Sequence, residues 1–398
     1  MGSDPNATAN ETSGKMLALE GIRGIAALIV VFDHLHLAFF VEVDQLVASY
    51  LNAHLPFALS KAGQYFVTGL HDGNFAVWVF WVMSAFVLSR KYFQLTRANR
   101  ELAGAEYLSR SVIKRYPRLF IPILASVLFA FVILSAGWMT NIDLGERLGS
   151  HTSQGWLFTF YEFEPSLLQA VKSAAWDTFF DFNRDTTYNT VLWTMEPEFF
   201  GSIFLFGFLS LIGNKNFRWY AYPLIVVVLF FRGTHWLNAF VMGIALCDLY
   251  VNTTIFSKLG HWFGASWIQV LAGVSIMVLI GAPNYGDVFH LVVAVALVVL
   301  ALSFRGFEKF FSSRVPVYLG KISFSLYLIH VPILCSATGV IYRMTEMVMP
   351  YPASAITTSL LTIALCIATA HVFYEYADKQ GVIVGGKLAK AVQPSSSR

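Results

Sequence analysis

Ten apolar runs, each closed by charged residues or by glycine and proline, limit what this chain can fold into. They fall at 22–41, 74–89, 117–138, 191–212, 218–231, 236–250, 265–282, 287–304, 320–342 and 354–376. About twenty apolar residues make a helix long enough to cross a bilayer. The sequence therefore predicts an all-α polytopic membrane protein, about ten transmembrane helices around a central intramembrane cavity. The second and fifth runs are short enough to be re-entrant. Only 13% of the 398 residues are charged, against about 25% in soluble domains, which supports the membrane assignment. A net charge of +3 without basic-aromatic interleaving excludes nucleic acid as a partner. The cysteines Cys247, Cys335 and Cys366 all lie in apolar runs and read as buried hydrophobes; no disulfide or metal site is expected.

Lysine and arginine set the orientation. With ten spans and a cytoplasmic start, 21 of the 27 lysines and arginines fall in cytoplasmic segments, which agrees with the positive-inside rule. Both termini should then face the cytoplasm. Residues 1–15 lack the pattern of a cleaved signal peptide. The expected organisation is a cytoplasmic tail at 1–18, a membrane domain at 19–378 and a cytoplasmic tail at 379–398, with no soluble domain after the last span. Residues 43–70 could carry an amphipathic surface piece. Residues 140–189, polar and aromatic-rich, should form the largest piece outside the membrane, suited to stacking on carbohydrate or to a folded lid.

Several spans carry polar groups where an ordinary anchor has none. Residues 19–34 read Leu-Glu-Gly-Ile-Arg-Gly-Ile-Ala-Ala-Leu-Ile-Val-Val-Phe-Asp-His. Arg23 and His34 are eleven residues apart, so a helix puts them within about 20° of one face and about 16 Å apart along its axis. Ionisable groups at such depth face a protein interior or water, and mark function. Burial favours the neutral imidazole, the form a general base needs. Asp33 lies 100° round the helix from His34 and should pair with another helix, while His36 lies on roughly the opposite side and reads as packing. Lys114, Arg115 and Arg118 cluster at the mouth of the third span; arginine forks suit phosphates. Ser323, Tyr327 and His330 share one face of the ninth span, a stripe that belongs against a cavity. Trp193, Glu196 and Glu198 lie at the expected outer end of the fourth.

Taken together, these motifs resemble the membrane acyltransferase-3 family in its stand-alone form. The resemblance rests on the Arg23 and His34 spacing, Arg115 with Arg118, the Phe-Trp-Val-Met-Ser-Ala-Phe stretch around Ser84, the Trp-Thr-Met-Glu-Pro-Glu stretch at 193–198, and Ser-Phe-Ser-Leu-Tyr-Leu-Ile-His ending at His330. It implies an integral membrane O-acyltransferase that moves an acyl group, most simply acetyl, from cytoplasmic acyl-CoA to a hydroxyl of a glycan, glycolipid or small metabolite. His34, as base or transient acyl carrier, Arg23 and Glu198 would be catalytic. Arg115, Arg118, Lys114, Ser84 and Tyr327 would bind the donor, and Trp193, Ser323 and His330 the acceptor. Acetyl-CoA or another acyl-CoA is the expected co-substrate, with no metal. The expected location is a bacterial inner membrane, or a eukaryotic endomembrane. Ala85, where the family usually has glycine, could narrow an acyl channel, and Phe324 replaces a usual tyrosine. The alternative is a transporter or flippase that uses the same charges without chemistry; it predicts broken, inverted repeats, which the sequence lacks. A catalytically dead receptor predicts loss of His34 or Arg23, and both are present.

Overall fold

The computed structural model describes residues 5–152, 156–282 and 286–393; the polar tail at 394–398 lies outside the described residues. The described residues are helical, with no strand. Five helices are long and apolar enough to cross a membrane: Gly73–Arg97, Glu101–Ser135, Thr190–Ile212, Arg314–Leu334 and Ala353–Val392. Taking each of three bent helix pairs as one span raises the number to eight. The ten expected runs are all largely helical, and by length and composition five to eight of these helices qualify as spans. Arg218–Phe231 and Ser266–Ile280 have 14 and 15 residues, about 22 Å of rise, short of the roughly 30 Å hydrocarbon core. The ninth run also departs from expectation. It begins early, at Arg314, and stops at Leu334; a separate helix, Ala337–Glu346, follows. Across that break the Cys335 carbonyl accepts from the Thr140 amide at 2.8 Å, and the Ser336 carbonyl from the Thr140 hydroxyl.

Contacts divide the chain into two units. The first holds the residues up to Leu28, Tyr65–Ile113 and Phe200–Lys321. Its centre is Gly73–Arg97 packed on His235–Asn252. Gly243 permits that packing, since a methyl there would collide with the Val82 carbonyl and meet Ala85 Cβ at 2.6 Å. Small residues at a helix crossing let backbones approach closely in a membrane, where hydrophobic drive between helices is absent. Ala85 is fully buried in this seam, so its methyl fills helix packing. Nearby, the fully buried Asp248 carboxylate takes bonds from Arg218 at 2.6 and 3.2 Å, Tyr222 at 3.0 Å and Asn252 at 2.6 Å.

The second unit holds Ile29–Gln64, Lys114–Phe199 and the residues from Ile322. It contains residues 140–189, expected as the largest piece outside the membrane; the described residues of that segment fold against Glu101–Ser135. The segment starts beyond the Ser135 end of Glu101–Ser135, where Asn141–Leu148 is tied by Asp143 to Arg147 and Arg343, each at 2.9 Å. It then returns along that helix to Tyr116, whose hydroxyl donates to the Ala175 carbonyl at 2.7 Å and whose ring packs on Phe179. Ser135 and Tyr116 are about 28 Å apart along a helix, close to the core thickness. The segment next climbs to Asn189, whose amide donates to Ser126 Oγ at 2.7 Å and to the Leu328 carbonyl at 2.6 Å. That carbonyl is free because Pro332, four residues on, has no N–H to offer it. Irregular backbone survives at membrane depth only where protein or a wet cavity satisfies it, and Asn141 does so within the segment, donating to Leu157 and Phe160. Residues 43–70 also fold, as helices Val41–His54 and Phe57–Gly69.

Candidate active site

Backbone hydrogen bonds orient two imidazoles in the second unit. His34 Nδ1 bonds the Val30 carbonyl at 2.8 Å, one turn back on its helix. A carbonyl can only accept, so Nδ1 carries the hydrogen and Nε2 keeps its lone pair. His330 repeats the arrangement: Nδ1 bonds the Tyr327 carbonyl at 2.8 Å. His330 is fully buried, and its Nε2 has no hydrogen-bond partner among the described residues. The two rings meet edge to face with centroids 4.9 Å apart, and Trp156 covers the His34 ring at 5.5 Å. His34 itself is only half-buried. Thus one imidazole is partly accessible, while its neighbour is a buried acceptor. Tyr327, from the same helix as His330, donates to the Val191 carbonyl and shares a 2.9 Å bond with Thr194. Ser323 is buried and its hydroxyl has no partner among the described residues.

Arg115 and Arg118, on Glu101–Ser135, lie lower, and Arg118 is level with Phe324 of the Arg314–Leu334 helix. The Arg118 guanidinium lies 5.6 Å above the Phe324 ring and pairs with Asp378. From Phe324 to His330 is six residues, about 9 Å of rise. Arg115 is buried and pairs with Glu198. Glu198 was expected at the outer end of its span. It lies instead at the Arg115 end of the unit, because the Thr190–Ile212 helix starts at the depth of Asn189. The second acidic candidate, Glu196, is exposed, and so are Lys114 and Trp193. Arg23 and Ser84 belong to the first unit. Arg23 approaches Glu20 at 3.8 Å, and Ser84 is half-buried on Gly73–Arg97. Two site residues escaped sequence reasoning. Trp156 gave no sign beyond lying in an aromatic-rich segment. Asp378 had one visible signal: an acid immediately after the last apolar run.

Apolar helices of this length, with a half-buried imidazole on one and ion-paired arginines on another, define a class: an integral membrane protein with polar groups set among its helices. The chain belongs to the acyltransferase-3 family, whose model, described as an acyltransferase domain, matches residues 16–371. It is similar to the O-acetyltransferase PaAT-1 of Phomopsis amygdali, 26% identical over 369 residues that cover 79% of this chain and 71% of that protein. No solved structure matches it significantly.

Proposed function

We propose that the protein transfers an acetyl group from acetyl-CoA to a hydroxyl on a glycan, glycolipid or small metabolite, within a cavity among about ten spans and with both termini cytoplasmic. One observation carries this reading: a single helix presents Phe324 beneath Arg118 and, about 9 Å further along, His330 against His34. Phosphates held at the arginines and chemistry held at the imidazoles then need a slender uncharged link between them. The pantetheine arm of CoA is such a link.

In the proposed reaction the acceptor O–H gives its proton to His34 Nε2 as its oxygen attacks the thioester carbonyl. The C–S bond breaks, the acetyl ester forms, and the departing thiolate takes the proton back from Nε2. His34 Nδ1–H, held by Val30, keeps Nε2 aimed and basic throughout. The empty lone pair on His330 favours an acceptor that brings more than one hydroxyl hydrogen to the centre. Trp193 contributes at the acceptor end. The relative from Phomopsis amygdali is an O-acetyltransferase by name, which favours acetyl over longer chains.

The test is CoA release from acetyl-CoA by membranes holding wild type or His34→Ala at equal expression. Release should fall at least a hundredfold, roughly the lower bound for losing a positioned general base. Equal release from both would end the catalytic reading and leave transport without chemistry. Mass spectrometry of lipids and glycans from expressing cells, read for added acetyl, identifies the acceptor.

A further inference from the structure

The helical segment Ala353–Val392 is interrupted by one wide turn, Tyr374–Asp378, in which the backbone bonds five residues back. Such π turns are rare, and where they occur they redirect a side chain that a regular helix would point elsewhere, frequently at functional sites. Here the redirected residue is Asp378. Its carboxylate is 3% exposed and bonded to Nη1 of Arg118. A buried carboxylate needs a strong compensating reason to be there.

Two further features point at the same arginine. Beyond the turn the chain continues as Lys379–Val392 and presses a glycine face on the Arg118 helix: a methyl on Gly381 would meet the Arg118 carbonyl at 3.0 Å, and one on Gly385 the Lys114 carbonyl at 3.2 Å. Pro122 has already taken away the helical partner of that Arg118 carbonyl. On its other side the guanidinium rests over Phe324. Only Nη1 is engaged: Nε and Nη2 have no partner among the described residues, and the side chain remains 30% exposed. The uncommitted N–H groups are therefore accessible to solvent or to a ligand.

We infer that Asp378 is a positioning residue of the donor site. It anchors one nitrogen of Arg118, the Phe324 ring fixes the plane of the guanidinium, and the remaining N–H edge is presented to an anionic group of the donor. This rests on the acyl-CoA reading above and deepens it: recognition of the donor's phosphates depends on an acid from the last helix as well as on the arginine pair. It also accounts for Phe324 where the family usually has tyrosine, since an unsubstituted ring still makes the cation–π contact.

The experiment compares two donors that share a thioester and a pantetheine arm: acetyl-CoA, and S-acetylpantetheine, which lacks the nucleotide and every phosphate. In full-length protein, Asp378→Asn should raise KM for acetyl-CoA about tenfold with kcat within about twofold, the pattern of lost donor binding. KM for S-acetylpantetheine should not move. A general packing defect would damage both donors alike, and that result, or no change with either, overturns the inference. Where Asp378→Asn folds poorly, the exchanged pair Arg118→Asp with Asp378→Arg keeps the ion pair and recovers folded protein. Its KM for acetyl-CoA should stay raised, because the guanidinium now hangs from the wrong helix; a return to the wild-type value overturns the inference. A wild type that treats the two donors equally overturns the donor reading itself, and this inference with it.

Discussion

At the scale of single residues, polar groups set at helical spacing within apolar runs were the most legible. His34, Tyr327 and His330 had to share an interior because lipid would not tolerate them, and the second unit gathers all three. Their chemistry was less legible, since the hydrogen-bond partners that pin each tautomer are backbone carbonyls, which a sequence does not distinguish. Partners from distant segments were missed: Trp156 for His34 gave no distinct signal, and Asp378 for Arg118 gave only that of an acid just after the last apolar run. Ala85 shows the opposite error. Read against a family pattern, its methyl looked like a restriction on the acyl chain; in the structure it fills the seam opposite Gly243. We therefore expect Ala85→Gly to leave donor chain-length preference unchanged and to lower thermal stability in detergent by about 1 kcal/mol, the cost of a buried methyl and a looser helix backbone. A shift toward longer acyl-CoA donors, measured with a series of thioesters, would contradict this.

At the scale of elements, the apolar runs gave reliable helices, while breaks and returns were hidden. The polar composition of residues 140–189 gave no sign that the described part of the segment would pack along Glu101–Ser135, anchored by Tyr116, Ser126, Leu328 and Arg343. One of those anchors predicts a pH response. Burial works against ionisation of Asp143, yet hydrogen bonds and charges from Arg147 and Arg343 outweigh it and hold the carboxyl below its usual value. A carboxyl depressed in the folded state adds stability above its unfolded pKa, about 4, and loses that contribution as pH falls through the lower folded value. Wild-type protein in detergent should thus lose more thermal stability between about pH 5 and pH 3 than Asp143→Asn does. Parallel curves would show that the anchor is not ionic.

At the scale of the whole molecule, composition and the distribution of lysine and arginine carried the argument. The membrane class was secure because so few charges cannot cover so many apolar residues in water. The number of crossings was not, because hydropathy cannot separate a short span from a helix that lies partway in. Single cysteines can resolve it, as Cys247, Cys335 and Cys366 are buried and should stay silent. With a membrane-impermeant maleimide, cysteines replacing Lys15, Lys258 and Lys387 should label from the cytoplasmic side, and one replacing Arg232 only from the other. Labelling of Arg232→Cys together with Lys258→Cys would remove the sixth crossing from the count.

The bonds of Asn189 also constrain how the protein is made. Its amide needs Ser126, already synthesised, and the Leu328 carbonyl, which emerges from the ribosome 139 residues later. The returning segment has no complete berth until the His330 helix arrives, so maturation of the reactive centre must be a late event in biogenesis, following insertion of the surrounding spans.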